Sequence, residues 1–205
     1  MGALAGLVLV AAGCWLVMFS PWTAGLANFW LLMTLSAGTL AVGALLADRR
    51  RLAEAYRFEP AHAVVGVLSA ALLYGLFYAG NALSTWLLPF AGAEIGGIYA
   101  IRTEAPPALV GALLLLWIGP AEEVFWRGFV QRRLAERWGP VVGLLAATAI
   151  YTLVHAWAGN LMLLGAAGLC SLFWGLLYLR FRSVWPGLIS HALWDLVIFV
   201  LLPVA

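Results

Sequence analysis

Two adjacent glutamates and an arginine interrupt a strongly apolar stretch near the middle of the chain, in the sequence IGPAEEVFWRGF of residues 118–129. Each charged side chain costs about 2.5 to 3.5 kcal/mol at the centre of a membrane helix. Because residues four apart lie on one face of a helix, Glu123 and Arg127 are expected to form an ion pair. Glu122 points about 100° away around the helix and is free to meet another helix. The segment therefore predicts a buried carboxylate beside a neutralised pair.

Two later apolar segments carry a histidine with a polar side chain four residues away. Tyr151 precedes His155, and His191 precedes Asp195. Three acids facing lipid would together cost on the order of 7 to 10 kcal/mol, so we expect the polar side chains to converge on each other or on water. A network that only holds helices together is the structural alternative, but interhelical hydrogen bonds in membranes gain only about 0.6 kcal/mol each. The pattern favours a functional site.

This set of side chains is suited to amide hydrolysis. A carboxylate and imidazoles around a wet cavity can deprotonate a water molecule and stabilise an oxyanion. The motifs of three other intramembrane proteases are missing from the sequence: GxSG of rhomboid-type serine proteases, GxGD with a second intramembrane Asp of presenilin-type proteases, and HExxH of site-2 metalloproteases. A glutamate-based or a metal-based mechanism remains.

The elements that must position these residues are membrane helices. The 205-residue chain is 65% apolar and only 10% charged, whereas soluble domains are roughly 45 to 50% apolar. We predict an all-α, polytopic membrane helical bundle, with residues 1–205 as a single integral membrane domain and the catalytic motifs within 122–195. Apolar runs long enough to cross a bilayer indicate seven transmembrane helices, or eight if the long third run also contains a re-entrant piece. The runs cover about 3–20, 28–47, 61–90, 108–131, 139–157, 160–179 and 184–203.

The positions of the arginines predict how the helices are oriented. All 11 basic residues are Arg, and nine of them fall in three alternate loops: Arg49, Arg50, Arg51, Arg57, Arg132, Arg133, Arg137, Arg180 and Arg182. By the positive-inside rule these loops face the cytoplasm, which places the N-terminus inside and the C-terminus outside. The Gly-rich loop 91–107 is then external, and we expect it to be flexible and to serve as a lid.

The other polar residues have simpler interpretations. Six acids are expected to be solvated in loops or at helix ends: Asp48, Glu54, Glu59, Glu94, Glu104 and Glu136. Cys14 and Cys170 lie in apolar runs and are predicted to be free thiols. No Arg or Lys precedes the first apolar run, so we interpret it as a retained span and not as a signal peptide. The net charge of +2 is too small to indicate nucleic-acid binding.

Three motifs in the second half of the chain, EEVFWR, YTLVH and HALWD, resemble the EExxxR, FxxxH and HxxxN/D motifs of the CPBP family. This family of membrane proteins includes type II CAAX prenyl endopeptidases and bacteriocin-processing or immunity proteins. The resemblance covers residues 122–195. It implies a helical bundle with a cavity in the membrane and an intramembrane glutamic endopeptidase without a metal or other cofactor.

Carried over to this sequence, the family motifs imply six candidate catalytic residues: Glu122, Glu123, Arg127, His155, His191 and Asp195. The first glutamate of the EExxxR motif, Glu122, would be the base that activates water, and the histidine of the second motif, His155, would assist it. The second glutamate and the arginine would form a structural ion pair that orients the site. The residues of the last motif, His191 and Asp195, would polarise the scissile carbonyl and hold the oxyanion.

Two residues depart from the family pattern. Tyr151 stands where Phe is commoner, a mild change because the ring is retained. Asp195 stands where many members have Asn, and an ionised Asp cannot donate a hydrogen bond to an oxyanion. Either Asp195 is protonated, or it orients His191 while the imidazole donates. The aspartate also permits a metal-dependent protease, since two His and two carboxylates are acceptable zinc ligands.

The expected partners are the lipid bilayer and a peptide or protein substrate in the membrane. A CAAX substrate requires a prenylating host, whereas an all-Arg chain rich in Ala and Gly is more typical of bacteria. We therefore expect a non-prenylated peptide or a C-terminal sorting tail in a bacterial inner membrane. A bacteriocin-immunity protein or a proton-coupled carrier is the non-enzymatic alternative, although carriers often contain internal repeats and none is visible. The sequence makes no prediction of oligomeric state.

The depths of the two histidines impose a further condition on the helices. Counted from the cytoplasmic arginines, His191 lies shallow in the membrane and His155 lies deep. Tilted or broken helices are therefore needed to bring the two side chains together.

Overall fold

The computed structural model describes residues 2–49 and 55–204, and these two ranges contain eight helices and no strand. The helices are α1 (Gly2–Phe19), α2 (Phe29–Asp48), α3 (Pro60–Leu87), α4 (Ala91–Ala100), α5 (Pro107–Trp138), α6 (Pro140–Ala158), α7 (Leu161–Phe181) and α8 (Trp185–Leu201). The predicted all-α bundle is confirmed. Three residues of the sequence predictions, Arg50, Arg51 and Glu54, lie outside the described residues.

Six of these helices are long and apolar enough to cross a membrane, namely α1, α2, α3, α5, α6 and α7, and α8 is apolar but shorter. These seven helices correspond to the seven predicted runs. α3 is one continuous helix of 28 residues, about 42 Å long at 1.5 Å per residue, so the re-entrant alternative is wrong. Large apolar side chains such as Leu9, Leu68 and Leu116 are exposed on the outer faces. The chain is a multi-pass membrane protein.

The segment predicted to be a flexible external loop is instead the helix α4, followed by a tight 3-10 turn over Ile101–Glu104. Ala91 and Ile95, four residues apart, are buried and give α4 a face that packs on the bundle. Burial of this face outweighs the low helix propensity of the three glycines in α4, each of which costs about 1 kcal/mol relative to Ala. The Gly-rich composition was therefore a poor guide to the secondary structure of this segment.

Two acids that were expected to be solvated, the half-buried Glu94 and the exposed Glu104, also bind backbone N–H groups at the starts of other helices. The Glu94 carboxylate accepts a hydrogen bond of 2.9 Å from Met162 N in the first turn of α7. The Glu104 carboxylate accepts one of 2.8 Å from Phe29 N at the start of α2. The first N–H groups of a helix have no partner within the helix, so these contacts fix the α4 segment across one end of the bundle.

The loops rich in arginine lie together at the opposite end. Asp48, at the end of α2, is buried and forms ion pairs with Arg132 and Arg133 near the end of α5, so the prediction that it is solvated is wrong. Val184 N donates a hydrogen bond of 2.9 Å to Ala55 O, which joins the loop before α3 to the loop before α8. This proximity agrees with the predicted orientation of the helices, while the assignment of this end to the cytoplasm stays a prediction.

The helix that carries the EEVFWR motif is irregular on both sides of the two glutamates. Residues Leu114–Ile118 and Trp126–Gln131 form π-helical turns, and the α-helical turns of Gly119–Phe125 lie between them. Pro120 contributes to this irregularity because it has no N–H to donate. The helix α6 similarly ends in a 3-10 turn over His155–Ala158. π-helical turns often occur at functional sites, and here they lie on both sides of the two glutamates.

Candidate active site

A cavity of about 410 Å³ lies inside the bundle, and all eight helices contribute to its wall. Most of the wall is apolar and aromatic. One patch is polar and consists of Glu122, Tyr151, His155, His191 and Asp195. Four of the six candidate residues therefore line one cavity, and the other two, Glu123 and Arg127, are buried behind it.

The predicted ion pair between Glu123 and Arg127 is present and almost completely buried. Arg127 Nη1 donates to Glu123 Oε1 at 2.9 Å, and the two residues are 1% and 0% exposed. Arg127 Nη2 donates to the carbonyl of Ser171 at 3.1 Å. The guanidinium also lies over the rings of Tyr151 and Trp174, 5.3 and 5.4 Å from their centroids. The cation is thus matched by a carboxylate, a carbonyl and two aromatic faces.

The imidazole of His191 connects this ion pair to the cavity. Its Nδ1 lies 2.9 Å from Glu123 Oε1, and because an ionised carboxylate can only accept, we assign the proton of this contact to Nδ1. Its Nε2 lies 3.4 Å from Asp195 Oδ2 and 3.8 Å from Glu122 Oε2. The ring stacks on Trp174 with a centroid distance of 3.7 Å. One face of the imidazole and its Nδ1 are therefore held by neighbouring side chains, while Nε2 faces two carboxylates.

The two carboxylate oxygens of Glu122 have different surroundings. Oε2 accepts a hydrogen bond of 3.1 Å from the hydroxyl of Tyr151. Oε1 is buried and has no hydrogen-bond partner among the described residues. The Tyr151 side chain, interpreted from the sequence as a mild replacement for Phe, thus places a polar hydroxyl directly on the candidate base.

Both ring nitrogens of His155 are bound by other parts of the protein. Nε2 accepts a hydrogen bond of 3.0 Å from Trp15 Nε1, and Nδ1 lies 2.7 Å from the carbonyl of Tyr151. An indole N–H can only donate and a carbonyl can only accept, so this geometry assigns the ring proton to Nδ1. His155 therefore joins α1 to the end of α6, and it presents no free nitrogen to the cavity in this structure.

Two contributions to the site were not found from the sequence, the indole of Trp15 and the ring of Trp174, and the contact of the Tyr151 hydroxyl with Glu122 was not specified. Trp15 and Trp174 are almost completely buried, and Trp174 Nε1 donates to Ser190 Oγ at 3.2 Å. The chain has 11 Trp, most of them in apolar runs, so no sequence signal distinguishes these two. Their roles depend on contacts between helices.

The arrangement of the His, Cys, Asp and Glu side chains bears on the metal-dependent alternative. In residues 2–49 and 55–204, no group of three or more His, Cys, Asp or Glu side chains has an arrangement that could hold a metal ion. The side chains of the cluster meet at His191, which is hydrogen-bonded to Glu123 and whose Nε2 lies 3.4 Å from Asp195 Oδ2 and 3.8 Å from Glu122 Oε2. Both cysteines are free thiols, as predicted.

The comparisons with known proteins concern the second half of the chain. A family model described as type II CAAX prenyl endopeptidase Rce1-like matches residues 104–197, which contain all six candidate residues but not Trp15 of α1. No curated protein and no solved structure matches the chain significantly. At the level of the family, the match indicates a CAAX-type membrane protease. The part of the chain that carries the three motifs is therefore similar to the Rce1-like type II CAAX prenyl endopeptidases.

Proposed function

We propose that the protein is an intramembrane glutamic endopeptidase, in which Glu122 activates water to hydrolyse a peptide bond of a membrane-associated or C-terminally anchored substrate. The observation that carries this proposal is the cluster of Glu122, His191 and Asp195 in the wall of an otherwise apolar cavity. An apolar cavity with a few convergent polar groups is the typical form of a ligand site. Ionisable residues placed at cost inside a membrane typically mark function.

The proposed reaction begins when Glu122 accepts a proton from water, whose oxygen attacks the carbonyl carbon of the scissile bond. The C–O bond forms as the carbonyl π electrons move to the oxygen, giving a tetrahedral intermediate with an oxyanion. His191 in its protonated form, which carries an Nε2–H in addition to the Nδ1–H that binds Glu123, or Asp195 in its protonated form, donates a hydrogen bond to this oxyanion. Glu122 then returns the proton to the leaving nitrogen as the C–N bond breaks.

The ion pair of Glu123 and Arg127 is proposed to position His191. One oxygen of Glu123 accepts hydrogen bonds from both Arg127 and His191 Nδ1, which fixes the direction of Nε2. Arg127 is itself fixed by the Ser171 carbonyl. A donor that is already oriented does not have to reorganise when the oxyanion forms, so the pair supports catalysis without touching the substrate.

His155 is proposed to assist Glu122 through its position and not by transferring a proton. Its two nitrogens are bound to Trp15 and to the Tyr151 backbone. These contacts hold the end of α6, and with it the tyrosine side chain that contacts Glu122.

The substrate is proposed to be a non-prenylated peptide or a C-terminal sorting tail in a bacterial cell membrane. The apolar and aromatic wall of the cavity supports an apolar substrate segment. The bacterial setting rests on the use of Arg for all 11 basic residues.

This function can be tested with internally quenched fluorogenic peptides whose C-terminal half is apolar. Their cleavage by the protein is measured in lipid vesicles. We expect cleavage to persist with a chelator and to fall by at least about 100-fold in Glu122→Gln, since a general base contributes roughly 10² to 10⁴. Glu104→Gln is the matched control, because the amide oxygen can still accept the bond from Phe29 N at an exposed position.

Other outcomes of these cleavage assays would favour a different mechanism or a different function. Near-wild-type turnover by Glu122→Gln would remove this residue from the mechanism. A chelator-sensitive enzyme with an inactive Asp195→Asn variant would favour the metal-dependent alternative, because a lost anionic ligand weakens metal binding. If Asp195→Asn stays active, a hydrogen-bonding role is supported, since the amide can donate. A folded protein that cleaves none of the peptides would favour the immunity or carrier alternatives.

A further inference from the structure

We propose that the hydroxyl of Tyr151 is a positioning group for the catalytic base. It holds one oxygen of the Glu122 carboxylate and leaves the other, Oε1, as the atom that accepts the proton from water. This inference rests on the proposed function of Glu122. The Tyr151 hydroxyl thereby determines which of the two Glu122 oxygens acts as the base in the reaction.

The hydroxyl can perform this role because the tyrosine is held firmly. Tyr151 is buried, and its ring packs edge to face on Trp126 with a centroid distance of 5.0 Å. The guanidinium of Arg127 lies over the ring at 5.3 Å. The Tyr151 carbonyl accepts from His155, which is fixed in turn by Trp15. The phenolic oxygen therefore has a defined position 3.1 Å from Glu122 Oε2.

The two oxygens of Glu122 are consequently not equivalent. Oε2 receives the Tyr151 hydrogen bond and faces His191 Nε2 at 3.8 Å. Oε1 belongs to a residue that lines the cavity, and it is a buried acceptor without a partner among the described residues. Buried acceptors are normally hydrogen-bonded, so Oε1 is the oxygen that is suited to bind the reacting water.

The hydroxyl is a feature of this chain and not of the motif that it resembles, which has Phe at this position. The terminal torsion of a glutamate side chain is broad, so without the hydroxyl the carboxylate could present either oxygen to water. A hydrogen bond to one oxygen restricts this rotation. Tyr151 thus favours a single orientation of the base.

Tyr151→Phe tests the inference, because the ring and its packing are retained. With the peptide probe described above, we expect kcat to fall by about 10-fold or more while KM changes less than about 2-fold. Without the orienting hydrogen bond the carboxylate adopts unproductive orientations, and misplacement of a catalytic group can lower a rate by about 100-fold. Tyr74→Phe is the matched control, since that hydroxyl donates to the Leu202 carbonyl at 3.1 Å and has no hydrogen bond with Glu122 among the described residues. The control should keep the wild-type kcat.

Infrared difference spectroscopy gives a readout that does not depend on cleavage. The difference between wild type and Glu122→Gln identifies the carboxyl band of this residue, and we expect Tyr151→Phe to shift that band while Tyr74→Phe leaves it unchanged. An unshifted band would overturn the inference. Wild-type kcat in Tyr151→Phe, together with an inactive Glu122→Gln, would overturn it while leaving the proposed function intact. An active Glu122→Gln would contradict the proposed function itself.

Discussion

Replacing Arg127 by alanine would leave Glu123 as an unpaired carboxylate in a completely buried position. The side chains of Arg127 and Glu123 are 2% and 0% exposed, and their charged atoms are 2.9 Å apart. The substitution would also remove the donor to the Ser171 carbonyl. We therefore expect a stability loss well above that of an ordinary surface substitution.

The expected magnitude follows from the burial of the pair. Removing one partner of a buried ion pair typically costs 3 to 5 kcal/mol, because the remaining charge is left without compensation. Native proteins are commonly stable by only about 5 to 15 kcal/mol. A loss of about 4 kcal/mol is then a large share of the total, and we expect a lower yield of folded protein.

Reversible unfolding in mixed micelles, followed by circular dichroism, would measure this loss in free energy. Arg133→Ala is the matched control, since it makes the same change later in α5. Arg133 is 28% exposed in its side chain, and its partner Asp48 keeps a second ion pair with Arg132. The control should lose clearly less stability than Arg127→Ala, because the buried Asp48 stays paired with Arg132.

A double variant tests the physical reason for the effect. Glu123→Gln removes the charge that Arg127→Ala leaves unpaired, so the double variant should lose less stability than the sum of the two single variants. Additive losses would show that the two charges are not coupled. A change of less than about 1 kcal/mol in Arg127→Ala alone would refute the assignment of a buried structural pair.

Two further predictions concern residues outside the three motifs. Trp15→Phe should lower the free energy of unfolding by about 1 to 3 kcal/mol, because His155 Nε2 loses its donor in a buried site. The ¹⁵N NMR signals of the His155 imidazole should shift in this variant, and an unchanged spectrum would contradict the contact. Gly187→Ala should destabilise by about 1 to 3 kcal/mol, since an added Cβ would lie 2.8 Å from Glu123 Oε2. Gly75→Ala, where an added Cβ meets nothing within 4 Å, should not destabilise, and equal losses in the two variants would exclude the steric explanation.

The contacts that the sequence predicted are those within single helices. The pairing of Glu123 with Arg127 follows from the period of 3.6 residues per turn, and the apolar runs follow from the thickness of the bilayer. The proximity of His191 and Asp195 is of the same kind. These parts of the site could be predicted because helix geometry alone places the residues near each other.

Contacts between helices could not be predicted in the same way. The approach of His191 to Glu123 joins residues from α8 and α5, and it depends on how these helices cross and on the π-helical turns of α5. The contact of Trp15 with His155 joins α1 to α6. Neither spacing nor composition specifies the rotation of one helix relative to another, so the partners of an isolated indole or hydroxyl stay open until the packing is known.

The position of the ion pair within one helix affects the order in which the protein can be assembled during synthesis. Glu123 and Arg127 are both on α5, so they can neutralise each other as soon as that helix is made, before α7 and α8 leave the ribosome. His191 then arrives from a helix synthesised more than one span later and binds a carboxylate whose partner is already in place. The most highly charged helix of the bundle can therefore enter the bilayer with two of its three motif charges already paired.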